Sequence, residues 1–334
     1  MSSGKTTVRD VAAAAGVSKS TVSRVLDERL PHSDSEAARR VREVAARLGY
    51  VRDISAASLR RGNTMMLGVV VPRLTDTVMA MLYEALASCA LQSGRTAIVA
   101  TSQDEPRADR AAAELLLQRG VDGLILSTAR RGDSMVEELA ARGVPYVLAL
   151  RTDGTSRSAV GDDVLGGYLA TRHLLDLGHR RIGLIAGPDY ASSSRGRQQG
   201  YRNALAEAGI DVAEDLVIPS AFSIDAGAEA AEILLALEQR PTAIFAVNDN
   251  SAIGALSVIG RHGLTVPGDI SLVGYNDIPI VSRLPVPLTT VRVPFDQIAS
   301  AAIDLLDNVP APEDRIRVLS PTLIPRKSTA TPRF

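Results

Sequence analysis

Asp10-Val-Ala-Ala-Ala-Ala-Gly-Val-Ser-Lys-Ser-Thr-Val-Ser-Arg-Val-Leu26 is the stretch on which the fold of the N-terminal region turns. Val8, Val11, Ala12 and Ala15 fall on one face of a helix. Gly16 suits a tight turn, and Ser18 can cap a second helix running to about Leu26, with Val22, Val25 and Leu26 on its inner face. Two short helices joined by a glycine turn form a helix-turn-helix unit. Its second helix exposes Lys19, Ser20, Ser23 and Arg24, the hydrogen-bonding and cationic groups that read base edges or hold phosphates. An ordinary helical hairpin with a solvated polar face would look the same over this stretch alone. A third helix is expected over about Ser35 to Leu48, with Ala38, Val41, Val44, Ala45 and Leu48 inward, Asp34 or Ser33 as its cap and Gly49 as its end. Asp53 to Arg60 reads as a short helical piece, too short to stand alone.

Charge separates this head from the rest. Residues 1–62 hold 12 Lys and Arg against 7 Asp and Glu, net +5, while the remainder holds 25 against 31, net -6, so the whole-chain value of -1 conceals a basic head on an acidic body. The chain of 334 residues is too long for one minimal domain, and 46% apolar residues suffice for real cores. One cysteine, Cys89, rules out an internal disulfide framework, and its helical setting reads as a small buried residue. The four histidines, His32, His173, His179 and His262, form no ligand pair, so neither metal nor cofactor is expected. The N-terminus has no secretory h-region and no apolar run reaches a membrane span, which points to a cytoplasmic chain without a membrane partner.

From Leu67-Gly-Val-Val-Val71 onward, short β-branched runs alternate with helical patterns. Strands are expected at 96–100, 123–126 and 146–150, with helices at 77–92, 106–119 and 133–141 between them. The alternation repeats after residue 160, with strands at 182–186, 216–218, 243–247 and 270–274. This is the pattern of βαβ units in two doubly wound parallel-sheet lobes, whose ligands bind at the carboxyl ends of the strands.

The head string together with Leu48-Gly-Tyr50 resembles the DNA-binding head of the LacI/GalR family of bacterial transcription regulators. In the body, Leu177-Gly-His-Arg-Arg-Ile182, Arg197-x-x-Gly-Tyr201, Ala246-Val-Asn-Asp249, Gly274-Tyr-Asn-Asp277 and Pro287-Leu-Thr-Thr290 resemble the same family's effector domain, as does Pro325-Arg-Lys-Ser-Thr329. The resemblance spans residues 6–330 and implies an all-α helix-turn-helix head (1–51), a hinge helix and linker (52–63), and an α/β body of periplasmic-binding-protein-like type. It divides that body into a first lobe at 64–160 and 290–319 and a second at 161–289 and 320–334, with crossings near 160–163, 288–293 and 319–322. It also implies a homodimer on near-palindromic double-stranded operator DNA and a sugar-like effector between the lobes. Lys19, Ser20 and Arg24 would read bases, and Thr7, Ser18, Thr21 and Ser23 would touch phosphates. Leu59 would wedge between base pairs, with Ala56 allowing close approach. In the cleft it implies Arg197 as the effector's anchor and Phe222 as a stacking ring. Asn248, Asp249 and Asn276 or Asp277 would accept hydroxyl hydrogens, and Phe295 would be a wall. Asp76, Ser127 and Arg151 would come from the first lobe.

The chain departs from the family pattern in several places. Arg52-Asp53 replaces Pro-Asn, Leu150 stands where Asn or Asp is usual before Arg151, and Asn276 stands where the family has aspartate. The pocket therefore reads as less acidic than that of a typical sugar sensor. No phosphate-binding glycine loop and no Gly-x-Ser-x-Gly turn is present, so an enzyme is not expected. A solute-binding protein shares the two-lobe plan, and the basic head argues against it. On helix 77–92, Val78, Met79, Leu82 and Leu86 are expected to serve both core and dimer contacts.

Overall fold

The computed structural model describes residues 6–27, 31–50 and 63–333. The chain divides into two compact units, residues 1–64 and 65–334.

The head holds α1 (Val8–Ala15), α2 (Lys19–Val25) and α3 (Glu36–Arg47). The Asp10 carboxylate accepts from the Thr7 amide at 2.8 Å, fixing the start of α1. Gly16 closes the helix in the left-handed conformation, at φ 65°, which costs a glycine little. Ser18 Oγ accepts from the Thr21 amide at 3.1 Å and starts α2. The cap of α3 is Ser35, which accepts from the Ala38 amide at 3.2 Å, rather than Asp34 or Ser33. Those two are drawn elsewhere: the Ser33 hydroxyl faces that of Ser35 at 3.3 Å, and Asp34 faces His32 at 3.2 Å. Val11, Ala15, Val22, Val41 and Val44 meet in one small core. Ala56 and Leu59 lie outside the described residues.

The body begins with β1 (Met66–Val71), α4 (Thr77–Gln92), β2 (Thr96–Thr101), α5 (Pro106–Gln118), β3 (Gly123–Leu126), α6 (Ser134–Ala141), β4 (Tyr146–Ala149) and β5 (Ser158–Gly161). It continues with α7 (Asp163–Asp176), β6 (Ile182–Ile185), α8 (Ser192–Glu207), β7 (Val217–Ile218), α9 (Ile224–Ala236), β8 (Ala243–Ala246), α10 (Asp249–Arg261), β9 (Ser271–Asn276) and β10 (Thr289–Arg292). Last come α11 (Phe295–Asp307), β11 (Ile316–Leu319) and β12 (Thr322–Ile324). One sheet has the order β11-β5-β4-β3-β1-β2 and the other β12-β10-β9-β8-β6-β7. Every pairing is parallel except β10 with β12.

The chain thus passes between sheets after β5, after β10 and between β11 and β12. Residues 290–292, expected in the first lobe, belong to the second sheet, because β10 pairs with β9 and β12 there. Val69 and Val71 join one core and Val70 joins the other, the two-residue alternation of a strand buried on both faces. Val78, Met79, Leu82 and Leu86 are all buried within the body, so none of the four is left for a partner. In the second lobe α7 and α8 cross with their backbones nearly touching. A Cβ on Gly167 would lie 2.1 Å from the Arg197 carbonyl oxygen, and one on Gly200 2.1 Å from that of Val164. This approach sets Arg197 of α8 beside Asp163 of α7. No described helix is long and apolar enough to cross a membrane.

Candidate DNA-reading head and effector cleft

On α2, Lys19, Ser20 and Arg24 are exposed, while Thr21 and Ser23 are half-buried. The Ser18 hydroxyl lies 2.7 Å from that of Ser20 and 2.8 Å from that of Thr21, a compact hydroxyl cluster ahead of Arg24. Thr7 differs from its expected role. Its hydroxyl donates to Asp10 at 2.7 Å, so a phosphate contact there requires that bond to turn away. The same bonds hold the Asp10 carboxyl below its ordinary range.

In the body, Asp76, Arg151, Arg197, Phe222, Asn248 and Asn276 line one cleft enclosing about 690 Å³ of space, part of it open to solvent. Arg197 is 6% exposed. Its Nε donates to Asp163 at 2.8 Å, its Nη1 to the Val247 carbonyl at 2.7 Å, and its guanidinium lies 3.8 Å over the Tyr275 ring. Burial pushes the Asp163 carboxyl up, and the Arg197 charge opposes that. Asn248 caps α10, its Oδ1 accepting from the Ser251 amide at 2.9 Å. Asn276 ends β9 at φ 106°. Asp76 caps α4, accepting from the Val78 amide at 3.1 Å and, across the cleft, from Asn250 at 3.2 Å; burial raises its pKa.

Three expected cleft residues sit elsewhere. Ser127 is buried and donates to the Val70 carbonyl at 3.1 Å. Asp249 is 0% exposed and accepts from the Thr290 hydroxyl at 2.7 Å and the Ile278 amide at 2.8 Å; burial pushes its carboxyl up to about 7. Its work is to pin the turn after β9. Phe295 opens α11 and packs into the core. Of the pair Asn276 and Asp277, only the asparagine lines the cleft, because Asp277 accepts from Arg292 at 2.7 Å and Arg326 at 2.6 Å.

The sequence reading missed Asp104 and Tyr190. The Asp104 carboxylate accepts from Arg151 Nη1 and Nη2 at 2.9 and 3.1 Å and from the Tyr190 hydroxyl at 2.8 Å. The Arg130 guanidinium stacks 3.9 Å from the Tyr190 ring. Burial raises the Asp104 pKa, but the bonds and charge of Arg151 outweigh it and hold the carboxyl below its ordinary range. Tyr190 follows β6 of the second lobe and Asp104 follows β2 of the first, so this contact clasps the cleft, as does Thr152 N donating to Ser192 Oγ at 2.9 Å. Scarcity was the available signal: the chain has 7 Tyr, 4 Phe and no Trp, which makes a tyrosine in a polar loop as informative as Phe222. Gln103, Asp104, Leu150, Asn276 and Asp277 all have positive φ, so left-handed backbone gathers at the strand ends that form this cleft.

A helix-turn-helix head followed by a two-lobed α/β body with a cleft between strand ends defines a ligand-responsive DNA-binding regulator. Residues 7–53 match the family of bacterial regulatory proteins of lacI type, and residues 171–329 match the periplasmic binding protein-like domain. The chain is 32% identical to the ribose operon repressor of Haemophilus influenzae, with 96% of this chain and 98% of that protein covered. It is 34% identical to the HTH-type transcriptional regulator GalR of Escherichia coli, covering 98% and 96%. Among solved structures, the lac repressor dimer bound to operator and an anti-inducer superposes with a TM-score of 0.86 at 29% identity, covering 97% of this chain and 99% of that one. The chain belongs to the LacI family and is a DNA-binding transcriptional regulator. Among the described residues no cluster of potential metal ligands occurs.

Proposed function

We propose that this chain is a dimeric repressor whose grip on a near-palindromic operator is set by a small molecule, a sugar or sugar derivative, held between its lobes. The observation that carries the reading is the union in one chain of an exposed Lys19-Ser20-Arg24 face on α2 with a cleft that both lobes line. Lys19, Ser20 and Arg24 read bases from the major groove, and Ser18, Thr21, Ser23 and a reoriented Thr7 hold phosphates. Leu59 unstacks a base step at the centre of the site, with Ala56 allowing close approach. The sugar preference rests on relatives, one of them named for a ribose operon. In the body, Arg197, Asn248, Asn276, Asp76 and Phe222 meet the effector, and Arg151 with Asp104 forms the fixed floor. Lobe closure around the ligand changes how the two subunits' heads are presented, and the two affinities are coupled reciprocally.

A gel-shift assay with DNA from upstream of the chain's own coding region tests the reading. Binding that weakens with salt and falls sharply in Arg24→Ala is expected. Absence of binding at every salt concentration would sink it.

A further inference from the structure

Among the described residues, five buried side-chain polar atoms have no well-formed hydrogen bond: Ser102 Oγ, Thr128 Oγ1, Arg130 Nε and both carboxylate oxygens of Asp109. They are neighbours. Ser102 follows β2, Thr128 and Arg130 follow β3, and Asp109 lies in the first turn of α5. Ser102, Thr128 and Arg130 all bear on the Asp109 carboxyl. Buried polar groups are nearly always paired, so unpaired ones gathered at one place need a reason. This set is complementary. Two hydroxyls and one guanidinium N–H can each donate, and an ionised carboxylate accepts about four hydrogen bonds. A neutral carboxyl draws the same donors far less strongly.

Arg130 already serves the cleft. Its Nη2 donates to the Asp104 carbonyl and stands 3.6 Å from the Asp104 carboxylate, and its guanidinium lies 3.9 Å from the centre of the Tyr190 ring. It thereby backs the Tyr190–Asp104 bond that clasps the two lobes. The other charges around Asp109 are committed. Strands β1 and β2 carry no ionisable side chain. On α6, Glu138 is held by Arg110 at 2.7 Å and Asp133 caps the helix. Glu114 of α5 pairs with Arg142, and Arg107 and Arg131 are exposed to solvent. Asp104, whose charge opposes ionisation of Asp109, is bound by Arg151. That leaves Arg130, among the described residues, as the cation placed to answer a charge on Asp109.

We propose that Asp109 and the Tyr190 clasp share Arg130, so that the charge on Asp109 decides which of them holds it. With Asp109 protonated, Arg130 stays on the Tyr190 ring and Asp104. When Asp109 gives its proton to solvent, Arg130 turns its Nε onto the carboxylate. Ser102 and Thr128 close on the same oxygens, and the Tyr190 ring loses its stacked guanidinium. The clasp is therefore tighter in acid than in base. Burial pushes the Asp109 carboxyl up to about 6, which places the exchange within reach of the folded chain. Asp104 is held below its ordinary range and the Tyr190 hydroxyl above its own, so neither changes charge in that window. The device belongs to the body alone and is independent of the repressor reading.

The test needs neither ligand nor DNA. The full chain is labelled with 3-fluorotyrosine, and the Tyr190 fluorine resonance is identified by its absence from Tyr190→Phe. The resonance is followed from about pH 5 to about pH 8, over which a carboxyl titrating near the middle passes from about tenfold protonated to about hundredfold ionised. It should move through one single-proton transition with its midpoint at about 6. Asp109→Asn keeps the shape and cannot ionise, so its Tyr190 resonance should hold the acid value throughout. Arg130→Met removes the shared cation and should give a flat profile at a different position. A Tyr190 resonance that ignores pH in the parent would overturn the proposal. So would a transition that survives in Asp109→Asn, which would belong to a histidine, or one that survives in Arg130→Met, which would need no shared cation.

Discussion

Replacing Arg197 by alanine is the obvious way to silence the effector, and the structure predicts that it will do something larger first. The guanidinium is 6% exposed, and its partner Asp163 has a side chain 12% exposed. Truncating Arg197 removes a bond of 2.8 Å to Asp163 and one of 2.7 Å to the Val247 carbonyl, and leaves a buried carboxylate without its counter-charge. Breaking a buried pair from one side costs about 3–5 kcal/mol. For a body of this size, each kcal/mol moves the melting temperature about 2–4 °C, so the expected loss is roughly 6–20 °C. The assay is thermal unfolding of the parent, Arg197→Ala, Asp163→Asn and the double variant. Asp163→Asn removes the stranded charge, so the double should melt above Arg197→Ala alone, with a coupling of about 0.5–3 kcal/mol. A single variant within about 2 °C of the parent, or strictly additive changes, would refute the view that Arg197 holds the second lobe together as well as facing the ligand. Loss of effector response in Arg197→Ala is therefore interpretable only beside Arg197→Lys.

Tyr190→Phe keeps the ring under Arg130 but removes the 2.8 Å bond to Asp104 that clasps the closed cleft. A hydrogen bond to a charged group contributes about 1.5–3 kcal/mol, so effector affinity measured by calorimetry should fall by roughly ten- to a hundredfold. Unchanged affinity would mean the clasp is incidental. Leu150→Asn should raise the body's melting temperature by about 2–4 °C, because asparagine tolerates the left-handed backbone that leucine resists, while ligand binding weakens. A lower melting temperature would contradict the strain at that position. Asp109 is 1% exposed with neither carboxylate oxygen in a well-formed hydrogen bond, and burial pushes its carboxyl up to about 6. The folded state therefore holds this proton more tightly than the unfolded chain does. The stability Asp109 contributes is full below about pH 4 and is lost as pH rises to about 6, a loss of up to about 3 kcal/mol. Asp249, pushed up to about 7, adds the same sign over a wider window. Asp109→Asn should melt higher than the parent at pH 8 and show a shallower decline between pH 4 and 6; an unchanged pH profile would count against it.

Local chemistry was legible in the sequence wherever neighbours in the chain decide the outcome. Gly16 and Ser18 mark the turn of the head because a left-handed residue and a cap are needed within three positions of each other. Ser33, Asp34 and Ser35 are all competent caps, and only the position at which α3 begins gives the role to Ser35, three residues before the Ala38 amide it accepts from. A short strand such as β5, Ser-Ala-Val-Gly, carries little apolar pattern of its own and is held by its pairing with β4 and β11. In the cleft, Arg197 and Asn276 could be placed because they sit in recognisable strings. Asp104 and Tyr190 could not, because 86 residues separate two groups that only lobe closure brings together. Ser127, Asp249 and Phe295 went astray for a related reason. Each lies just past a strand end, but its side chain is turned inward: Ser127 onto the Val70 carbonyl, Asp249 onto Thr290, and Phe295 into the core.

The most direct test of the account joins its two halves. Operator affinity is measured by fluorescence anisotropy at fixed salt, with and without a ligand shown by thermal shift to occupy the cleft, and ligand affinity is measured with and without operator. The account predicts that each partner changes the other's affinity by one common factor, about 5- to 150-fold. A ligand that fills the cleft and leaves operator affinity unchanged would contradict it.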